Sequence, residues 1–269
     1  MSSVIRKEIQ VNASPDQVWE AWTDPERIVQ WFADKASGWP APGGKLSLRW
    51  ERFNFSVDYQ IAEAEQGRRL VLKARLPGLG TGTISLDFLP RGPGCLVRLE
   101  ETGPDTPPSD EPNAAESGWE MTLAIMKLYV ENYFGQPRSS FFAMMPAKFN
   151  YERVMYFYST EEGLARWLAG EGSTFGGRGG TYRFTLQDGT TASGRVLAVT
   201  AHEVALEWSE IHGYLELKSF PMEPGIKAIC ARGAGWGLDP ARAAQIEKML
   251  EGALTVLFIA LAEPAETAS

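Results

Sequence analysis

Two ionisable side chains sit where a strand pattern would otherwise place apolar ones. The alternation Cys95, Val97, Leu99 runs on to Glu101, and the alternation Ile226, Ala228, Cys230 runs on to Arg232. A charge at the inner end of such a strand would fix the polar head of a ligand at a cavity mouth. The plainer alternative is a strand end that simply meets water. The only histidines, His202 and His212, fall in apparent turns and are expected to be exposed. With no acidic or thiolate cluster at ligand spacing they make a poor metal site, and no metal or other cofactor is expected. His212 near Glu210 has the residue types of an acid–base pair, but exposed turn positions are the better reading. Cys95 and Cys230 fall on inward strand positions and read as inert core thiols.

Other reactive patterns fail on inspection. Gly176-Gly177-Arg178-Gly179-Gly180 is glycine-rich like a phosphate loop, but it lacks the Lys-Ser/Thr and leads into a strand rather than a helix. No Gly-x-Ser-x-Gly elbow occurs, and no nucleophile–base arrangement can be argued from spacing, so catalysis is not evident. What the chain does offer is rings. Trp19, Trp22, Trp31, Trp50, Phe88, Trp119 and Tyr133 in the first half, and Tyr158 and Trp208 in the second, are candidates to line an apolar pocket. Most of them would serve equally well as core, since ring burial is itself strongly stabilising.

The elements that must position these residues can be read locally. Ile5, Ile9 and Val11 mark a first strand. Ser14-Pro15-Asp16-Gln17 is a capping box with proline at the first helical position, and the helix it starts carries Val18, Trp19 and Trp22. Asp24-Pro25-Glu26 starts a second helix that carries Ile28, Trp31 and Phe32. The pair Gly43-Gly44 then opens a meander with period two: Leu46, Leu48, Trp50; Leu70, Leu72, Ala74; Ile84, Leu86, Phe88; Cys95, Val97, Leu99. One apolar face at that period means antiparallel strands lying on a core. Residues 102–116, rich in Pro, Asp and Glu, read as an exposed loop. Ser117-Gly118-Trp119-Glu120 is a capping box for a long apolar helix through Tyr133.

The chain then repeats itself. Residues 18–48 align without a gap on residues 154–184 at a shift of 136, which sets Trp22 on Tyr158, Trp31-Phe32 on Trp167-Leu168 and Gly43-Gly44 on Gly179-Gly180. Further on, a shift of 131 sets Glu101 on Arg232. Asn150 supplies a helix cap in the second copy, and Ser159-Thr160-Glu161-Glu162 is a capping box for its next helix. Asp188-Gly189 is a hairpin signal, and Asp239-Pro240 starts a last helix through about Ala262. The period is too long and the copies too few for a solenoid. Two domains are expected, residues 1–136 and a degenerate copy at residues 137–269, with the boundary at Gly135-Gln136-Pro137. The fold class is α+β, each domain an antiparallel curved sheet around a long C-terminal helix with two short helices after the first strand.

Composition narrows the partners. Residues 1–136 carry 14 basic against 19 acidic side chains, and residues 137–269 carry 12 against 15. Neither half has the clustered cations of a nucleic-acid binder. Two cysteines do not make a disulfide scaffold. The first residues, MSSVIRKEIQ, show no secretion signal. The longest strongly apolar run, Ala253 to Ala262, is far short of the roughly 20 residues a membrane span needs. A cytoplasmic protein is the expectation.

The order of strand, two short helices, meander and long helix resembles that of START-like (SRPBCC) helix-grip domains. Val18-Trp19-Glu20-Ala21-Trp22-Thr23-Asp24-Pro25 resembles the signature of one branch, the homologues of the activator of heat-shock protein 90 ATPase. Trp31-Phe32, the Pro42-Gly43-Gly44 turn and Trp119 fit it as well. The second copy keeps Trp167 and Gly179-Gly180 but lacks the Val-Trp and Asp-Pro dipeptides. The resemblance implies a deep cavity between sheet and final helix that accepts lipids, polyketides or other small hydrophobic molecules. It also implies two alternatives: a co-regulator of a chaperone ATPase or other protein-binding scaffold, and a cyclase or hydrolase working in the cavity.

Overall fold

A computed structural model describes residues 3–76, 80–103 and 114–263. The chain divides into two compact units, Met1–Gln136 and Pro137–Ser269. In the first, the elements are β1 (Ser3–Val11), α1 (Pro15–Thr23), α2 (Pro25–Ile28), β2 (Lys35–Gly38), β3 (Lys45–Trp50), β4 (Phe55–Glu65), β5 (Arg69–Leu76), β6 (Gly80–Arg91), β7 (Gly94–Gly103) and α3 (Ala114–Asn132). In the second they are β8 (Arg138–Ala147), α4 (Tyr151–Ser159), α5 (Glu161–Ala165), β9 (Thr174–Phe175), β10 (Thr181–Thr185), β11 (Thr191–Val199), β12 (Glu203–Trp208), β13 (Gly213–Glu223), β14 (Ile226–Trp236) and α6 (Pro240–Ala262). The antiparallel sheets have matching orders, β1-β7-β6-β5-β4-β3-β2 and β8-β14-β13-β12-β11-β10-β9. Each unit is a helix-grip fold.

The helices begin where side-chain acceptors can take up the free N–H groups of a first turn. Ser14 accepts from the Gln17 amide and Asp24 from the Glu26 amide. Asn150, Thr160 and Asp239 do the same for α4, α5 and α6. The helix α3 departs from expectation: it begins at Ala114, and Ser117 lies inside it, buried. The capping box read at Ser117 is therefore not the start. Most of the loop expected at residues 102–116 lies outside the described residues. The sheets also hold strands that the local pattern did not mark: β2 and β4 in the first unit, and β8, β9 and β11 in the second.

The two units repeat one another down to single hydrogen bonds. The indole of Trp31 donates to the Ala21 carbonyl at 2.9 Å, and that of Trp167 to the Phe157 carbonyl at 2.9 Å. The Gly43-Gly44 turn is tied to Ile61 by two backbone bonds, and Gly179-Gly180 is tied to Val196 in the same way. Gly43 and Gly179 both have positive φ, and a Cβ on Gly44 would lie 2.4 Å from the Trp39 carbonyl oxygen. Only glycine fits both requirements.

Strand pairing corrects the alignment further along. Val11 faces Cys95 across β1 and β7, and its counterpart Ala147 faces Lys227 across β8 and β14. The shift in this strand is therefore 132 rather than 131. A slip of one residue turns every side chain to the opposite face of a sheet. Ile229 and Ala231 accordingly join the core beneath α6, while Cys230 and Arg232 project from the other face. Cys95 keeps the inward position expected of it.

His202 is a second correction. It is buried, with its ring edge-on to Tyr151 at 4.5 Å, because the turn before β12 folds in under α4. His212 is exposed, as its turn position suggested, and caps a 3₁₀ turn with φ of 49°.

Candidate functional site: an aromatic cavity in the first unit

The first unit encloses a narrow apolar space between its helices and the concave face of its sheet. Ile28 and Phe32 close it from the α2 side, and Leu46, Leu48, Leu72 and Ile84 pave the sheet. Trp22 enters from α1, Tyr59 from β4 and Trp119 from α3. The free volume of the space is only about 10 Å³. That is about the least room a single water needs, so a larger guest requires its walls to move.

Tyr59, Trp22 and Trp119 bring polar atoms to the apolar wall, and Glu101 stands beside it as the partner of Trp119. Glu101 lies in one cross-strand row with Leu72, Ile84 and Ile5, on the inner face of β7. Its carboxylate accepts a 2.6 Å hydrogen bond from the Trp119 indole. The Tyr59 phenol is pushed up to about 12, first by burial and then by the nearby Glu101 carboxylate, so it stays protonated at ordinary pH. Between Tyr59 and the Glu101 strand lie Ala74 and Gly82, which fill little of the space. The Trp22 indole N–H is buried and meets no protein acceptor.

Phe32, Tyr59, Glu101 and Trp119 are half-buried, whereas Trp22 and Leu72 are buried. Trp119 stands on α3. The first turns of α3 are held there by Lys7 of β1, whose ammonium meets Glu116 at 2.9 Å and Glu120 at 3.2 Å. Burial works against the Lys7 charge, but the two carboxylates outweigh it and raise its pKa.

Of the residues singled out from the sequence, Trp22, Glu101 and Trp119 come together here. Trp19 and Phe88 pack against each other edge to face at 5.7 Å, away from the lining. Trp31 stacks on Phe32 at 4.8 Å and spends its N–H on Ala21. The Trp50 indole donates to the Phe32 carbonyl, behind the ring that lines the space. Tyr133 lies just past the end of α3, half-buried and outside the lining. Tyr59 escaped the sequence reading, although Val57, Tyr59 and Ile61 alternate and would have marked both β4 and its inner face.

The second unit is built differently at the matching positions. Register places Gly194 where the first unit has Tyr59, Gly233 where it has Glu101, and Phe141 where it has Ile5. Trp208 stands at the position of Ala74. Phe141 and Trp208 meet edge to face at 6.1 Å, and a Cβ on Gly233 would lie 2.6 Å from the Phe141 ring. The rings take the room that a carboxylate and a phenol take in the first unit. Tyr158, the counterpart of Trp22, is fully buried and donates to the Lys218 carbonyl at 3.3 Å. Arg232, expected at a cavity mouth, instead pairs with the fully buried Glu216 at 2.5 Å on the far face of the sheet. The one-residue register difference is the cause.

Among the described residues no group of three or more His, Cys, Asp or Glu side chains is placed to hold a metal ion. No described helix is long and apolar enough to cross a membrane.

Residues 12–131 match the family model for activator of Hsp90 ATPase homolog 1-like protein. None of the curated proteins matches the chain. Among solved structures, the Aha1 dimer from Colwellia psychrerythraea is 17% identical with a TM-score of 0.44, over 48% of this chain and 96% of that one. CalU16 from Micromonospora echinospora is 24% identical with a TM-score of 0.40, over 48% of this chain and 85% of that one. DynU16, from the dynemicin biosynthetic locus, is 17% identical with a TM-score of 0.42, over 96% of this chain and 98% of that one. The family match covers the segment that forms the cavity and most of the first unit, which is similar to activator of Hsp90 ATPase homolog 1-like proteins.

Proposed function

We propose that the first unit binds a small hydrophobic ligand in its helix-grip cavity, with Glu101, Tyr59 and Trp119 facing the ligand's polar end. The observation that carries this reading is the wall itself. Aliphatic and aromatic side chains surround an interior space that still keeps a carboxylate, a phenol and two indole N–H groups, and polar groups in such a place cost stability unless they serve a partner. The ligand widens the space by moving its half-buried walls at Phe32, Tyr59 and Trp119. The second unit, with Phe141 and Trp208 in the corresponding room, is the packed copy. Native mass spectrometry after incubation with a panel of lipids and polycyclic aromatics tests the reading. One retained ligand per chain is expected, and a full panel with no retained ligand overturns it.

A second reading, co-regulation of a chaperone ATPase, is supported by the match of residues 12–131 to the activator family. It is checked by adding the protein to an Hsp90-type chaperone, and an unchanged ATPase rate removes it.

A further inference from the structure

Trp22 is the least explained polar group of the cavity. Its side chain is 4% exposed, and it is fixed between Trp31, edge to face at 5.0 Å, and Phe32 at 5.7 Å. It lines the cavity, yet its indole N–H has no protein acceptor. The other indoles of this neighbourhood are all satisfied. Trp31 donates to Ala21, Trp50 to Phe32 and Trp119 to Glu101. A buried donor left without a partner is costly, and native folds rarely keep one without a use. At the matching position of the second unit stands Tyr158, whose hydroxyl does find a carbonyl. The open donor thus belongs to the unit that keeps the cavity.

Resting on the ligand-binding reading above, we propose that the cavity selects apolar ligands that carry a carbonyl oxygen, and that the Trp22 Nε1–H is the group that recognises it. The surroundings fit that division of labour. Glu101 offers only acceptor oxygens, one already engaged by Trp119, and so favours a ligand hydroxyl or amine over a carbonyl. Tyr59 keeps its proton but stands beside that carboxylate. Trp22 is the lining donor with no competing acceptor, and its ring is too tightly packed to turn elsewhere. A carbonyl placed against it recovers a hydrogen bond that the protein itself does not make. A hydrocarbon of the same shape gains nothing there.

The test compares 1-indanone with indane, which share a skeleton and differ by one carbonyl, on the full chain and on Trp22→Phe, which keeps a ring and removes the N–H. Dissociation constants come from calorimetry. The preference of the wild type for 1-indanone over indane is expected to fall about tenfold in Trp22→Phe, the equivalent of one hydrogen bond. An equal preference in the two proteins overturns the proposal while leaving ligand binding intact. Failure of both probes to bind the wild type, while the panel above returns a retained ligand, overturns this inference alone. A panel with no retained ligand overturns the ligand-binding reading and this inference with it. The wild type alone supplies an independent measurement should Trp22→Phe fold poorly. The Trp22 indole proton resonance is expected to move downfield with 1-indanone and not with indane. The same shift with both probes counts against the proposal.

Discussion

The Trp119 indole donates to the Glu101 carboxylate at 2.6 Å, and this bond joins the final helix of the first unit to the inner face of β7 at the cavity. Both residues are half-buried, so the bond is worth less than a fully buried charged one. Glu101→Ala is expected to lower the unfolding free energy by about 1 to 2 kcal/mol. Glu101→Gln should cost less, because an amide oxygen still accepts from the indole. Urea unfolding of the two variants measures the difference. Equal losses would mean that the bond itself contributes nothing.

Ala74 and Trp208 occupy the same place in the two sheets, and they explain why the interiors differ. Ala74→Trp in the first unit is expected to abolish ligand retention, at an overpacking cost of about 1 to 3 kcal/mol. Trp208→Ala in the second unit should cost about 3 to 5 kcal/mol, because it empties a fully buried ring site. Mass spectrometry and thermal unfolding read the two effects separately. Undiminished ligand retention by Ala74→Trp would place the ligand elsewhere.

Tyr59 sets an alkaline signature. Its phenol is pushed up to about 12 by burial and by the neighbouring Glu101, against 10.0 for an ordinary tyrosine. Between those values the unfolded chain has released the proton and the folded chain still holds it. Raising the pH through that window therefore favours unfolding. Tyr59→Phe should make the loss of stability in the window smaller. An unchanged slope in chemical unfolding followed across the window would show that the phenol ionises freely in the fold.

Arg232 matters to stability rather than to the cavity. Glu216 is fully buried, and desolvation alone would raise its pKa. Arg232, and after it Lys218, overcome that effect and hold the carboxyl below its ordinary value. The contribution is present above the unfolded carboxyl pKa and is lost as pH falls through the folded one. Arg232→Met leaves the carboxylate without its main partner and should cost about 3 kcal/mol near neutral pH, with acid unfolding beginning at a higher pH. The double variant Arg232→Met with Glu216→Leu should recover most of the loss, since it removes the buried charge as well. A double variant as unstable as the single one would contradict this account.

Much of the fold was legible because its causes are local. Caps at Ser14, Asp24, Asn150 and Asp239 depend on a side chain and an amide two or three residues away, and the two glycine pairs depend on the φ angles of one turn; the box read at Ser159 was one residue off, since Thr160 caps α5. Period-two alternation revealed most strands for the same reason. The repeat was legible because both copies obey those local rules. Trp22, Glu101 and Trp119 stood among the cavity candidates on residue type and strand or helix pattern, which core packing and a solvated strand end would have explained equally well.

Tertiary structure decided the rest, and the reason is register. Whether a strand residue faces the core depends on which residue lies opposite it, and that partner can be far away in the chain. The difference between a shift of 131 and one of 132 is invisible in composition, yet it moved Arg232 from an expected cavity to the far face of its sheet. It also set Gly233 opposite Phe141, where Glu101 faces Ile5 in the first unit. The buried state of His202 and the unpartnered indole of Trp22 are of the same kind, because each is fixed by what packs around the residue rather than by its neighbours in sequence.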